Sequence, residues 1–476
     1  MTGLARLGTL LLAIIISESP IGAAPAMDLS RSLLRARELA FSRRFDEAVV
    51  LYDEVLRAAP DRWDAALGRA EALSWGGRYA LAEMAYRALL THRPDSLDAL
   101  RGLARTAYWS GDFRRALKLF ARLKASAPAD PEVREAMGKL EALMRPVATL
   151  GLTAAHDDQP ADLSAFSSKV TWGLDPLTTA AAEIGGLQLD AQDAGGFVRL
   201  GDARIGISAR YPRAALNVAG RVGLRRFSDG ASAPLFDLRL ERPFAAFSLS
   251  AALVRDTALD SAPSYRSHIT VESLALGVRR EEMGAHPTGA KLTGAVEVRV
   301  VRFGDSNAAL SASAWAALPL GRLGPLRLAG TAASSYRDTR DARVRAVLVG
   351  SSPIPTGGTA YEIRTLFDPY VTPERQLEAR LGLHAVLPAT PRLTLAFTAE
   401  AGAGRERATG FGPASGPAAG PIALTPGTYV RHYTPFRAAF SATLVSGSKT
   451  LQADVSQASS AFYNVTTVDL RVTRRF

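Results

Sequence analysis

The closing stretch of the chain, Tyr463 to Phe476, alternates strictly between apolar and polar residues. Val468, Leu470, Val472 and Phe476 fall on one face, and Asp469, Arg471, Thr473 and Arg475 fall on the other. A period of two predicts a β-strand with one apolar and one polar side. Segments of nine to fourteen residues with the same alternation recur from about residue 147 onward, and no helical pattern interrupts them. Up to eighteen segments qualify, among them 147–157, 265–280, 359–367, 391–403, 432–445 and 462–476. Spanning strands need about 9–11 residues each, and closed membrane barrels are built from even numbers of antiparallel strands. The expectation is therefore a barrel over 147–476 with about 16 strands, within a range of 14 to 18.

Alternation also predicts the two faces. Leu377, Ala379, Leu381, Leu383 and Ala385 should meet lipid, with Glu378, Arg380, Gly382 and His384 inward. Leu292, Val296, Val298 and Val300 should point outward, with Lys291, Thr293, Glu297 and Arg299 inward. An acid followed two residues later by arginine recurs on the inner face: Asp202 and Arg204, Asp237 and Arg239, Glu297 and Arg299, Glu378 and Arg380, Asp469 and Arg471. Residues two apart share a face, and an arginine facing lipid at the bilayer midplane costs about 2–4 kcal/mol, so these ten residues are candidates for the pore lining. Two readings of that lining are open. The charges line a hydrated path for a polar polymer, or they neutralise one another as a structural lattice around a narrow or shut lumen. Short connections at Asp175-Pro176, Tyr211-Pro212-Arg213, Arg242-Pro243, Pro388-Ala389-Thr390-Pro391 and Ser446-Gly447-Ser448 should face the periplasm. The stretch from about Arg405 to Arg431, rich in Gly, Ala and Pro, should be a long outer loop.

Residues 28–145 follow a different period. Ala48, Ala82 and Ala116 recur every 34 residues, as do Tyr52, Tyr86 and Phe120, and Pro60, Pro94 and Pro128. Phe45, Tyr79 and Phe113 keep the same register, as do Ala36, Ala70 and Ala104. Trp75 and Trp109 match in two units, with Gly68 and Gly102 ahead of them. Small residues let paired helices approach, aromatics fill the space between neighbours, and proline stops the second helix of each unit. This pattern resembles the tetratricopeptide repeat, with three repeats and a closing helix near Pro131 to Met144. Such arrays present a concave face to another protein, so a periplasmic protein partner is one expectation and a structured spacer is the other.

Residues 1–26 read as a secretory signal: Arg6 is the basic flank, Leu7 to Ile16 the apolar core and Ala24-Pro25-Ala26 the cleavage site. That core is far shorter than the ~20 residues of a spanning helix, so any insertion must use strands. Cysteine is absent, which excludes disulfides, thiolate metal sites and acylation at an N-terminal Cys. The formal charge of +11 is carried almost wholly by arginine. No nucleic-acid motif accompanies it, so no nucleic-acid partner is expected. No HExxH spacing, GxSxG elbow or phosphate-binding loop occurs. His156-Asp157-Asp158 reads as a polar loop tip, and Gly195-Gly196 and Gly357-Gly358 as turns. No enzyme activity, cofactor or metal is expected.

The fold class is thus α + β and multidomain: an α-solenoid followed by a transmembrane barrel. The run Leu67 to Tyr79, L-G-R-A-x-A-x-x-W-x-G-x-Y, resembles the repeats of YaiO-type outer-membrane proteins. It is also similar to those of outer-membrane components that export cellulose or poly-N-acetylglucosamine. Those exporters carry many more repeats than the three visible here, and Arg474 stands where insertion signals prefer an apolar or aromatic residue. The resemblance implies an outer-membrane, porin-like channel that assists exopolysaccharide export. Its partners would be outer-membrane lipid, periplasmic synthesis machinery and the polymer, with Phe476 as the insertion signal. A barrel-anchored assembly platform that conducts nothing is the alternative.

Overall fold

The structure, a computed structural model, describes residues 28–476 except 159–160, 192–195, 260–261, 281–291, 354–358, 369, 414–423 and 461–463. The expected signal at 1–26, Lys291, Gly195, Gly357-Gly358 and Tyr463 lie outside the described residues. The chain divides into two compact units, one running to Gly111 and resuming over Lys118–Val133, the other comprising Asp112–Leu117 and Arg134–Phe476.

Seven helices come first: α1 (Leu29–Phe41), α2 (Phe45–Ala58), α3 (Trp63–Trp75), α4 (Tyr79–His92), α5 (Leu97–Trp109), α6 (Phe113–Ser126) and α7 (Pro131–Ala142). The ends of these helices follow their local chemistry. The Asp28 carboxylate accepts from the Arg31 N–H at 3.1 Å, and the Ser96 hydroxyl from the Ala99 N–H at 3.3 Å, each capping a helix start. Pro60 and Pro94 lie two residues beyond the ends of α2 and α4. The alanine column is fully enclosed: Ala36, Ala48, Ala70, Ala82, Ala104 and Ala116 expose nothing to solvent. Tyr52, Tyr86 and Phe120 are buried as well. Two of these tyrosines lie against a glycine of the following helix, Gly68 and Gly102, where an added Cβ would meet the ring at 2.6 and 2.2 Å.

The strands follow. On the first half are β1 (Val147–Asp157), β2 (Ala161–Asp175), β3 (Thr178–Ala191), β4 (Gly196–Tyr211), β5 (Leu216–Phe227), β6 (Ser232–Pro243) and β7 (Ser248–Thr257). A short helix α8 (Ala262–Ser267) then leads to β8 (Thr270–Arg280), β9 (Thr293–Phe303), β10 (Ala308–Leu323) and β11 (Leu326–Thr339). The remainder comprises β12 (Val344–Pro353), β13 (Thr359–Phe367), β14 (Glu374–Pro388), β15 (Leu393–Pro413), β16 (Leu424–Tyr433), β17 (Phe436–Ser446), β18 (Lys449–Ser459) and β19 (Asn464–Arg475). Every strand pairing is antiparallel. The first and last strands zip together from Val147↔Arg475 to Asp157↔Val465, which closes the sheet into a cylinder. The Phe476 N–H donates to the Pro146 carbonyl at 3.0 Å, so the chain enters and leaves at one rim.

The closed cylinder has sixteen strands. Three segments depart from the expected course. The segment 359–367 is a strand, but it pairs only with β12 in a separate two-stranded sheet between β11 and β14. Residues 265–267 belong to α8, so a helical turn does interrupt the strands. The expected outer loop at Arg405 to Arg431 is largely strand: β15 continues to Pro413 and pairs with β16 over Gly404↔Tyr433 to Pro413↔Leu424, leaving 414–423 outside the described residues. Below that level β15 pairs with β17 instead, over Leu393↔Leu444 to Ala401↔Phe436. The changeover falls at Thr434-Pro435, where the proline has no N–H for a ladder bond.

Candidate functional site

The wall of the cylinder separates oil from charge, residue by residue. Along β14, exposure alternates from Glu374 to His384, with Leu377 54%, Leu381 72% and Leu383 53% exposed and Glu378, Arg380 and Gly382 half-buried between them. Val296, Val298 and Val300 repeat the pattern on β9, opposite Glu297 and Arg299. Leu150, Leu152, Ile205, Ile207, Val222 and Leu470, on four other strands, extend the exposed apolar band. A band of this kind around a sheet with no open edge is what hydrocarbon requires, because every wall strand is hydrogen-bonded on both sides. No helix among the described residues is long and apolar enough to cross a membrane.

Four of the five acid–arginine pairs form. The Arg204 guanidinium lies 2.8 Å from Asp202, Arg239 2.9 Å from Asp237, Arg299 2.8 Å from Glu297 and Arg380 2.7 Å from Glu378. They sit within larger groups that cross strands. Arg221 joins Asp237, its partner in the β5–β6 register, and approaches Glu183 at 3.7 Å. Arg225, only 4% exposed, reaches Asp256, the Thr257 hydroxyl at 2.6 Å and Asp202 at 3.5 Å. Arg380 also lies 3.5 Å from Glu400, and Glu378 accepts from the Tyr433 hydroxyl at 2.8 Å. Alternation along one strand could reveal the acid–arginine pairs but not Arg221, Arg225, Asp256 or Glu400, whose partners are set by register between strands.

The fifth pair does not form among the described residues. Asp469 accepts from the Thr153 hydroxyl at 2.5 Å and stands opposite Asp454, while Arg471 stands opposite Gln452 and Gly151. The Thr153 hydroxyl, directly across the β1–β19 pair, takes up the Asp469 carboxylate instead.

The inner face is not polar throughout. Towards the rim away from the short turns, Leu189, Val198, Leu200, Phe227 and Ala233 form an apolar cluster closed by Tyr265 of α8. Leu200 is on the same face as Asp202, and Phe227 on the same face as Arg225, so this cluster lies on the lumenal side. At the same rim the Phe303 and Tyr370 rings stack 4.0 Å apart. Asp305 accepts from the Asn307 N–H at 3.1 Å, the Tyr370 hydroxyl at 2.9 Å and Arg343 at 3.1 Å. Burial opposes ionisation of Asp305, but these three donors outweigh it and hold the carboxyl below its ordinary range; burial in turn pushes the Tyr370 hydroxyl up to about 12. His156 pairs with Asp162 at 2.7 Å across β1–β2, both exposed, and Asp158 accepts from Asn464. This polar stretch ties strands together at the rim.

In the helical unit, charge follows the helix stack. Arg105 lies 2.6 Å from Glu132, and Arg101 2.8 Å from Asp130. The Arg105 hydrogen bond holds the Glu132 carboxyl below its usual value, and the Arg101 bond does the same for Asp130. The Thr106 hydroxyl donates to the Gly102 carbonyl at 2.7 Å, which leaves the buried Ser74 hydroxyl to donate to Thr106 at 2.8 Å. A tetratricopeptide-repeat family model matches residues 76–140. The N-terminal helices are tetratricopeptide repeats.

Among solved structures, the chain is similar to a bacterial polysaccharide outer-membrane secretin (13% identity, 70% of this chain and 98% of that one, TM-score 0.49). It is also similar to CdiB from Acinetobacter baumannii (9% identity, 69% of this chain and 60% of that one, TM-score 0.40). The tetratricopeptide repeats are similar to the repeat domain of P58(IPK) (19% identity, 23% of this chain and 32% of that one, TM-score 0.22). No curated protein matches the chain.

Proposed function

We propose that this chain is an outer-membrane, porin-like channel that assists export of an exopolysaccharide, its tetratricopeptide repeats recruiting the polymer or its synthesis machinery in the periplasm. The observation that carries this reading is the sixteen-strand closed wall with an oily exterior and an ion-paired interior. Cylinders of sixteen to eighteen strands enclose an aqueous channel, whereas about eight leave room only for side chains. Paired arginines and carboxylates offer hydrogen bonds without a strong net field, which suits a sliding, hydroxyl-rich chain better than a small ion that must be selected by charge. In this reading the rim holding Val147 and Phe476 faces the periplasm. Asp202, Arg204, Asp237, Arg239, Glu297, Arg299, Glu378, Arg380, Asp469 and Arg471 border the path.

The second reading, a barrel-anchored assembly platform that conducts nothing, draws on the apolar cluster closed by Tyr265. Conductance of the purified chain in planar bilayers separates the two. A channel passes current, and converting Arg204, Arg299 and Arg380 together to glutamate shifts its ion selectivity. A closed barrel passes none, and an open one with unchanged selectivity removes those arginines from the path.

A further inference from the structure

Each repeat ends its first helix on an aromatic residue: Phe41 closes α1, Trp75 closes α3 and Trp109 closes α5. The three are spaced by the repeat length, and the backbone turns in the same way after each of them. Two residues on, the chain adopts a positive φ, 61° at Arg43, 76° at Gly77 and 78° at Gly111. The rings therefore leave the solenoid from equivalent points and form a row along it. Their exposure separates them from the core aromatics of the same units. Phe41 is 76% and Trp109 44% exposed, whereas Tyr52 and Tyr86 are buried. Trp75, between them in the row, packs partly on the core and lies 5.9 Å from Phe41, ring centre to ring centre. Large apolar rings kept at the surface in register are a feature of recognition surfaces.

The chemistry of the surroundings narrows the ligand. Most arginines close in sequence to the row are matched by acids: Arg44 by Glu47, Arg78 by Asp46 at 2.6 Å, and Arg105 by Glu132, while Arg43, two residues past Phe41, is exposed. Arg101, one turn further from Trp109, is held by Asp130. A face whose cations are mostly engaged by its own carboxylates has less to offer an acidic peptide or an anionic polymer than one of unpaired arginines. Its aromatic faces complement a ligand that is uncharged and apolar on its ring faces. Pyranose sugars with equatorial hydroxyls have that character, because their axial C–H groups form a flat apolar face that stacks on aromatic rings. A row of rings repeated along one axis fits a linear polymer of them.

We infer that Phe41, Trp75 and Trp109 form a stacking platform for a neutral, linear polysaccharide. This rests on the export reading for its biological sense, but not for its test, which requires no conductance. The full chain is purified in a detergent without a sugar headgroup, and its migration is compared in native gels with and without a soluble neutral β-linked glucan. Retardation by the glucan is expected. Trp109→Ala and Phe41→Ala should each weaken it tenfold or more, and Trp109→Phe should largely restore it, with the helical circular dichroism of all three unchanged. No retardation of the parent chain, equal retardation of the folded alanine variants, or retardation only by a polyanionic glycan would each overturn the assignment. So would displacement of the glucan by a peptide that binds the alanine variants equally. A chain that binds the glucan in this way yet carries no current would keep the platform while removing the channel.

Discussion

The ring of Tyr86 lies so close to Gly102 that a Cβ on that glycine would fall 2.2 Å from its Cζ. Gly68 holds the same relation to Tyr52 one repeat earlier. Glycine ordinarily weakens a helix interior by roughly 0.5–1 kcal/mol relative to alanine, so its use here is explained by the ring it admits. Gly102→Ala should therefore destabilise the repeats by about 1–3 kcal/mol through overpacking. Gly138 supplies the control: it also lies within a helix, but nothing approaches its Cβ position within 4 Å. Gly138→Ala should be neutral or slightly stabilising. Thermal unfolding of the full chain, followed by far-UV circular dichroism, tests both. Equal behaviour of the two variants would contradict the packing account.

Alternation and the 34-residue period make the barrel, the repeats and the sidedness of β9 and β14 legible in the sequence, because each depends on neighbours two, four or thirty-four residues away. What remained hidden depends on distant partners. Asp469 looked like the mate of Arg471, yet its hydroxyl donor, Thr153, is 316 residues away across the closing seam. Leu200 and Phe227 face the lumen as apolar residues because Tyr265 covers them, and no periodicity in β4 or β5 announces a helix from a later loop. Most of β16 reads as loop from sequence because it falls in the Gly-, Ala- and Pro-rich stretch from about Arg405 to Arg431. Its place in the sheet comes from the long ladder that β15 offers it.

The acid side of the stability profile should reflect Glu132 and Asp130. Both carboxyls are held below their ordinary values by arginine hydrogen bonds. A group depressed in the folded state stabilises fully above its unfolded value, about 4.5 for Glu132, and loses that contribution as pH falls through the folded value. The melting temperature of the helical signal should thus decline as pH drops below that point. Glu132→Gln should lower it at neutral pH and make the acid decline shallower. An unchanged slope in the variant would show that Arg105 and Glu132 are not the coupled pair.

Arg225 is the most enclosed cation of the lumenal lattice, and removing it leaves Asp202 and Asp256 with Arg204, 2.8 and 3.5 Å away, as their one remaining shared cation. Breaking a buried pair on one side costs on the order of 3 kcal/mol when the remaining charge is uncompensated; with Arg204 still shared between two carboxylates the loss should be smaller, about 1–3 kcal/mol. Arg225→Ala should lower the temperature at which the barrel loses its folded mobility in detergent electrophoresis. Adding Asp256→Asn to it should recover part of the loss. If the double variant is as unstable as the single one, packing rather than charge explains the effect.

Leu381 sits at the centre of β14 with 72% of its surface exposed, and Ser335 stands on β11 opposite the inward Glu378. The two positions pose the same question from opposite sides of the wall. If hydrocarbon bathes the exterior, Leu381→Arg should cost about 2–4 kcal/mol, as expected for a midplane arginine on the lipid face. Ser335→Arg, placed beside Glu378 in a polar interior, should cost far less. Urea titrations of both variants folded into lipid vesicles measure the difference directly. A soluble sandwich would give a different result, because neither position could then distinguish lipid from lumen and both arginines would be tolerated at an exposed surface. Equal stability of the two variants would therefore remove the membrane from the account of this fold, and the export reading with it.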